Sequence, residues 1–179
     1  MKFNGSTDYL LETVANWRSG DTQGTVMAWV KTTTSGAVRY ILGSGDEGVG
    51  NVFFLLSVDG VTGDRLRFQW LNGGTQTNLR GTATAFANDR WYHVALVSNG
   101  SAYTMYVNGA VEAFTVVSGS DDGAWMSGVA NRDNITIGAF KINSVGGYWS
   151  GELDAVTVFS EAKAAKWLRE YVLQTRKFL

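Results

Sequence analysis

The sequence predicts an all-β protein, an antiparallel β-sandwich carrying one C-terminal α-helix. Three observations predict it. Short runs rich in β-branched and aromatic residues recur at short spacing between Gly-, Asn- and Asp-rich turns, the signature of an all-β chain. Trp91-Tyr92-His93-Val94-Ala95-Leu96-Val97 is followed by Met105-Tyr106-Val107-Asn108-Gly109-Ala110, and Asn-Gly is the dipeptide a tight type I′ hairpin turn needs. From Ser160 onward the apolar pattern changes to a helical period. At 179 residues, one domain with a core that needs no disulfide or metal staple is expected.

Strands are expected at Lys2–Asn4, Tyr9–Glu12, Gly24–Thr32, Val38–Gly43, Asn51–Asp59, Arg65–Leu71, Thr75–Arg80, Arg90–Ser98, Ala102–Val107, Val111–Val117, Ile135–Phe140 and Gly147–Phe159. Val52-Phe53-Phe54-Leu55-Leu56 is apolar on both faces, so it reads as a central strand covered on both sides. Arg65 to Leu71 alternates: Leu66, Phe68 and Trp70 share one face, Arg65, Arg67 and Gln69 the other. That second face is either solvated or part of a concave binding surface. Trp29, Trp70 and Trp91 occupy strand positions and read as core. Asp121 to Asn134 is the longest turn-rich segment, where a rigid sandwich tends to carry function.

The C-terminal segment, residues 161–179, reads as an amphipathic helix with Ser160 as its N-cap. Ala164, Trp167, Leu168, Tyr171, Val172, Thr175, Phe178 and Leu179 fall on one arc, with basic residues mostly elsewhere. Two readings are open for Trp167, Leu168, Tyr171 and Val172. They pack back on the sandwich of residues 1–160, or they dock another subunit; a membrane surface is a third partner that such an arc would suit.

Five segments resemble laminin G-like, concanavalin A-like jelly rolls. They are Phe3 to Leu10, Gly24-Thr25-Val26-Met27-Ala28-Trp29-Val30-Lys31, the Trp91–Gly109 pair of strands with its Asn99-Gly100 turn, Ile135-Thr136-Ile137-Gly138, and Trp149 to Phe159. Their order matches too. The resemblance implies a concanavalin A-like fold, which hosts lectins, adhesion modules, glycan-binding modules and virion proteins, so function has to come from a site. Relatives end in a short helical turn; this helix is expected to be about two turns longer.

A net charge of −1 lacks the basic excess of a nucleic-acid binder. The chain has no cysteine, hence no disulfide framework, and no proline, so its turns rest on Gly, Asn, Asp, Ser and Thr. Residues 1–30 lack the basic and apolar regions of a signal peptide, and no apolar run is long enough to span a bilayer.

Catalysis is not expected. Concanavalin A-like glycoside hydrolases place two glutamates on one strand, as Glu-x-Asp-x-Glu or Glu-x-Asp-x-x-Glu, to flank the scissile bond. Glu152-Leu153-Asp154 begins that way, but Val156 and Thr157 stand where the second glutamate belongs. The one histidine, His93, sits inside an apolar strand and reads as packing. No cofactor is required. Relatives of the pentraxin branch carry an acidic cluster where this chain has Phe140-Lys141-Ile142, so their double-calcium site is not expected. A structural calcium between Asp8 and Asp154 is a remaining expectation, because the first and last strands of such folds run close together.

Sugar binding needs exposed aromatic faces beside polar side chains. Trp125 in the long loop and Tyr148-Trp149 at a loop edge, with Asn131, Arg132, Asp133 and Asn143, form the expected ligand site; the competing reading has Trp125 and Trp149 pinning loops to the core. The expected function is a non-catalytic binding or assembly module. One form is a phage virion structural or decoration protein at the virion surface, docked through its helix to a partner protein or to further copies of itself. The other is a free-standing lectin-like carbohydrate-binding module, extracellular or cut from a larger secreted protein, whose partner is a glycan.

Overall fold

The computed structural model of the chain describes residues 1–129 and 131–176. The strands are β1 (Lys2–Asn4), β2 (Leu10–Thr13), β3 (Gly24–Thr32), β4 (Val38–Gly45), β5 (Val52–Asp59), β6 (Arg65–Asn72), β7 (Thr75–Gly81), β8 (Trp91–Ser98), β9 (Tyr103–Val107), β10 (Ala110–Glu112), β11 (Phe114–Ser118), β12 (Asn134–Ile137), β13 (Phe140–Lys141), β14 (Val145–Gly146) and β15 (Ser150–Phe159). One helix, α1 (Ala165–Thr175), follows. Among the described residues the strands form a six-stranded antiparallel sheet in the order β1-β15-β3-β8-β9-β10, a seven-stranded sheet in the order β11-β7-β6-β5-β4-β12-β2, and the small hairpin β13-β14.

Alternation along the strands builds the core. Val26, Ala28 and Val30 from β3 and Val94 and Leu96 from β8 meet Phe54, Leu56 and Val58 from β5 and Leu66, Phe68 and Trp70 from β6. Phe54 meets Phe68 edge-on at 4.9 Å between ring centroids. β5 lies between β4 and β6, and its outward-facing Leu55 is itself buried, as its unbroken apolar run implies. The expected tight turn is present: Asn108 and Gly109 have φ of 52° and 77°, and Ala110 pairs with Val107.

Three sequence expectations need correction. Residues 111–117 are not one strand: β10 pairs with β9 in one sheet and β11 with β7 in the other. The Glu112 carboxylate anchors this crossover. It is buried and accepts from Ala83 N, Thr84 N and Thr84 Oγ1 at 2.8, 2.8 and 2.7 Å. Residues 135–140 also divide, because Gly138, at φ 83°, turns the chain out of β12 before Phe140 starts the small hairpin. Ser160 is not the helix N-cap, a position taken by Ala164. Thr25 holds residues 161–163 off the helix, its Oγ1 donating to Glu161 O at 2.8 Å and accepting from Lys163 N at 2.9 Å.

α1 packs on the outer face of the six-stranded sheet. Leu168 and Val172 are buried, and Leu168 joins Met27, Ala95, Val97 and Tyr106 in a second apolar cluster. Trp167 and Tyr171 stack on each other at 5.5 Å, half-buried at its margin. Lys163 Nζ lies 4.6 Å from the Phe159 ring centroid and 5.3 Å from that of Trp167. The arc expected as an interface is thus largely used within this chain. Its Phe178 and Leu179 lie outside the described residues.

Candidate functional site: the outer face of the seven-stranded sheet

Strand register aligns a polar row across the face that points away from the core. Tyr40 of β4 stands opposite Ser57 of β5, Ser57 opposite Arg67 of β6, and Arg67 opposite Arg80 of β7. The next row aligns Leu55, Gln69 and Asn78. Ser57, Asp59 and Asn78 are buried, while the longer Tyr40, Arg67, Gln69 and Arg80 are half-exposed. Short polar groups thus form a floor with taller donors standing above it.

The arginines dominate the electrostatics. Arg67 Nη1 lies 3.4 Å from Asp59 Oδ2, and its Nε donates to Asn78 Oδ1 at 3.0 Å. Asp59 is fixed in turn, because its Oδ1 accepts from Val61 N at 3.1 Å. Arg65 Nη1 donates to Thr82 O at 2.6 Å. Among the described residues Arg80 forms no ion pair. Like charges directly opposite in a sheet are destabilising. Among the described residues Asp59 is the carboxylate paired with an arginine on this face, beside Arg65, Arg67 and Arg80, so the face keeps a surplus of positive charge.

Tyr40 supplies an aromatic wall. Its ring meets Phe140 at 4.8 Å, and Gly147 at φ 59° lets the hairpin segment pass close by, since a Cβ there would lie 2.2 Å from the Tyr40 ring. Burial pushes the Tyr40 phenol above its usual range; Arg67 opposes this and Asp59 adds to it. The phenol stays a neutral donor beside the arginines. Positive charge beside an aromatic wall is chemistry that can accommodate an anion and an apolar ring face.

The expected loop site does not assemble. Trp125 and Trp149 are fully buried, Trp125 edge-on to Phe54 at 5.1 Å and Trp149 with Nε1 donating to Lys31 O at 3.3 Å. Neither offers a face to a sugar; both pin loops to the core. Arg132 is also buried, donating to Val129 O, Ser44 Oγ, Trp17 O and Met126 O between 2.8 and 3.1 Å. Burial lowers its pKa to about 10, with Asp21 opposing. Asp133 accepts from Glu47 N at 3.2 Å. Asn131 and Asn143 are exposed, Asn143 beside Gly50, and Tyr148 lies against Tyr9 at 6.0 Å.

Asp8 and Asp154 do not meet either. Asp8 Oδ2 accepts from Asn4 N, and Asn4 pairs with Ser150. Asp154 is four residues farther along β15, about 13 Å at strand rise. Among the described residues no cluster of three His, Cys, Asp or Glu side chains could hold a metal ion. Glu152 Oε1 is paired with Lys31 Nζ at 3.0 Å.

The arginine face was half legible beforehand. The alternation of Arg65, Arg67 and Gln69 is local, but Arg80, Asn78 and Tyr40 join them only through register.

Solved structures share this architecture. A Ruminococcus gnavus IT-sialidase CBM40 superposes with a TM-score of 0.73 at 18% identity, covering 91% of this chain and 98% of that one. The same module is solved bound to α2,3- and α2,6-sialyllactose. The NanB sialidase from Streptococcus pneumoniae superposes with 0.73 at 16% identity, over 94% of this chain but 26% of its own. A heptameric SAP-like pentraxin from Limulus polyphemus gives 0.64 at 19% identity, over 96% and 80%. No curated protein matches by sequence. No helix among the described residues is long and apolar enough to cross a membrane. The family model Laminin_G_3 matches residues 4–169, and the chain belongs to that family, the concanavalin A-like lectin/glucanases superfamily.

Proposed function

We propose that the protein is a non-catalytic carbohydrate-binding module that takes a carboxylate-bearing glycan on the outer face of its seven-stranded sheet. The observation that carries this reading is the directly opposed pair Arg67 and Arg80, of which, among the described residues, Arg67 alone has an acidic partner, Asp59 of the neighbouring row. A planar guanidinium matches a carboxylate with two parallel hydrogen bonds, which favours a sugar acid over a neutral sugar. Asn78, Gln69, Ser57 and the Tyr40 hydroxyl supply partners for ring hydroxyls. The likeness to modules solved with sialyllactose supports the same class of ligand. Such a module acts where glycans are displayed, at a cell or particle surface.

Glu152, the one residue placed like a hydrolase glutamate, is tied to Lys31 and lies on the other sheet, away from this face. A docking role for α1 in a virion has less to work with, since Leu168 and Val172 are buried in this chain.

Calorimetric titration with sialyllactose and with lactose tests the proposal. Binding of the former alone is expected, weakened at least tenfold by Arg67→Ala and by Arg80→Ala, as loss of a charged hydrogen bond of about 1.5–3 kcal/mol implies. Equal binding of both sugars, or no response to either substitution, would overturn it.

A further inference from the structure

α1 does not lie flush on the six-stranded sheet along its whole length. Its C-terminal half leaves a cavity of about 380 Å³ between the helix, the start of β8 and the β9–β10 turn. Arg169 reaches it from the helix, Arg176 from the helix C-cap and Arg90 from the chain entering β8; Trp29, Trp91 and Asn108 are among the other lining residues. The walls are built. Trp29 is buried, and its Nε1 donates to Thr175 Oγ1 at 3.1 Å, which fixes the ring against the helix. Asn108 is held by the turn and accepts from His93 N at 2.9 Å. Gly109 lets the helix approach closely, since a Cβ there would lie 3.0 Å from Arg169 Cα.

Among the described residues none of the three arginines forms an ion pair. Three exposed guanidinium groups around one hollow give it a positive potential that favours an anion. The volume suits a ligand of one or two rings. Trp91, half-buried at the hollow, suits the apolar part of a sugar ring.

We infer that this cavity is a second ligand site, on the sheet opposite the Arg67–Arg80 face, for a mono- or disaccharide carrying sulfate or phosphate esters. The arginines take the ester oxygens and Trp91 takes the ring. The inference stands whether or not the other face binds a glycan.

Calorimetric titration of the full chain with a sulfated disaccharide, its phosphorylated counterpart and the unesterified disaccharide tests it. Binding of at least one ester and not of the unesterified sugar is expected, weakening as salt is raised. Arg169→Ala and Arg176→Ala, at an exposed helix position and at the exposed C-cap, should each lower affinity about tenfold. Lys166→Ala, on the same helix outside the cavity, should leave it within about twofold. Failure of both esters to bind, binding that survives the double arginine variant, or an equal loss in Lys166→Ala would overturn the inference.

Discussion

The His93 imidazole meets the Trp29 indole edge-on, with ring centroids 5.2 Å apart and planes at 73°. Tyr171 of the helix closes the other side at 5.4 Å. The imidazole is fully buried, and among the described residues neither ring nitrogen has a hydrogen-bond partner. Burial lowers its pKa from 6.5 to about 4.

Stability should therefore depend on pH through this one side chain. The unfolded chain protonates His93 near pH 6.5, the folded chain only near pH 4, so between these values the unfolded state binds more protons. The contribution is complete above about pH 6.5, is lost as pH falls toward 4, and amounts to roughly 3 kcal/mol at most. Urea unfolding at pH 7, 5.5 and 4 should show this loss. His93→Phe, which keeps a ring between Trp29 and Tyr171, should flatten the profile over that range. An unchanged slope would place the acid sensitivity elsewhere.

Arg80→Thr should separate stability from binding. Removing one of two directly opposed cations relieves repulsion, and threonine suits a strand. A gain of about 0.5 kcal/mol in the unliganded protein is expected, measured by denaturant midpoint, together with weakened binding of sialyllactose. A loss of stability would mean that Arg80 is compensated in the free protein.

Trp125→Ala and Trp149→Ala should each cost about 3–5 kcal/mol, the usual penalty for emptying a large buried site. Thermal unfolding reads this out directly. A variant of normal stability that had lost sugar binding would restore these residues to the ligand site.

Leu168→Ala should destabilise the monomer by about 2–5 kcal/mol. Truncation before Ala165 should leave Met27, Ala95, Val97 and Tyr106 uncovered and promote self-association, seen by light scattering. A truncated chain that stays monomeric with an unchanged melting temperature would show that α1 contributes little to the fold.

The sequence by itself determined the elements and their class. Alternation marked β6, runs of β-branched and aromatic residues marked β3 and β8, the Asn108-Gly109 dipeptide specified a tight turn, and the helical period of residues 164–175 marked α1. These signals are local, set by φ preferences and by which side of a strand or helix is apolar. Only the tertiary structure decided which sheet each strand joined and which side chains shared a face. Residues 111–117 read as one strand, yet they split between two sheets because Glu112 finds its donors at Ala83 and Thr84, far away in sequence. Trp125 and Trp149 lie in loops and read either as exposed platforms or as pins to the core until the packing of Phe54 and Lys31 around them is known. Arg67 and Arg80 are thirteen positions apart and become neighbours only through the register of β6 on β7. Pairing between distant strands is fixed by burial of the whole core, a collective energy that no local window of sequence contains.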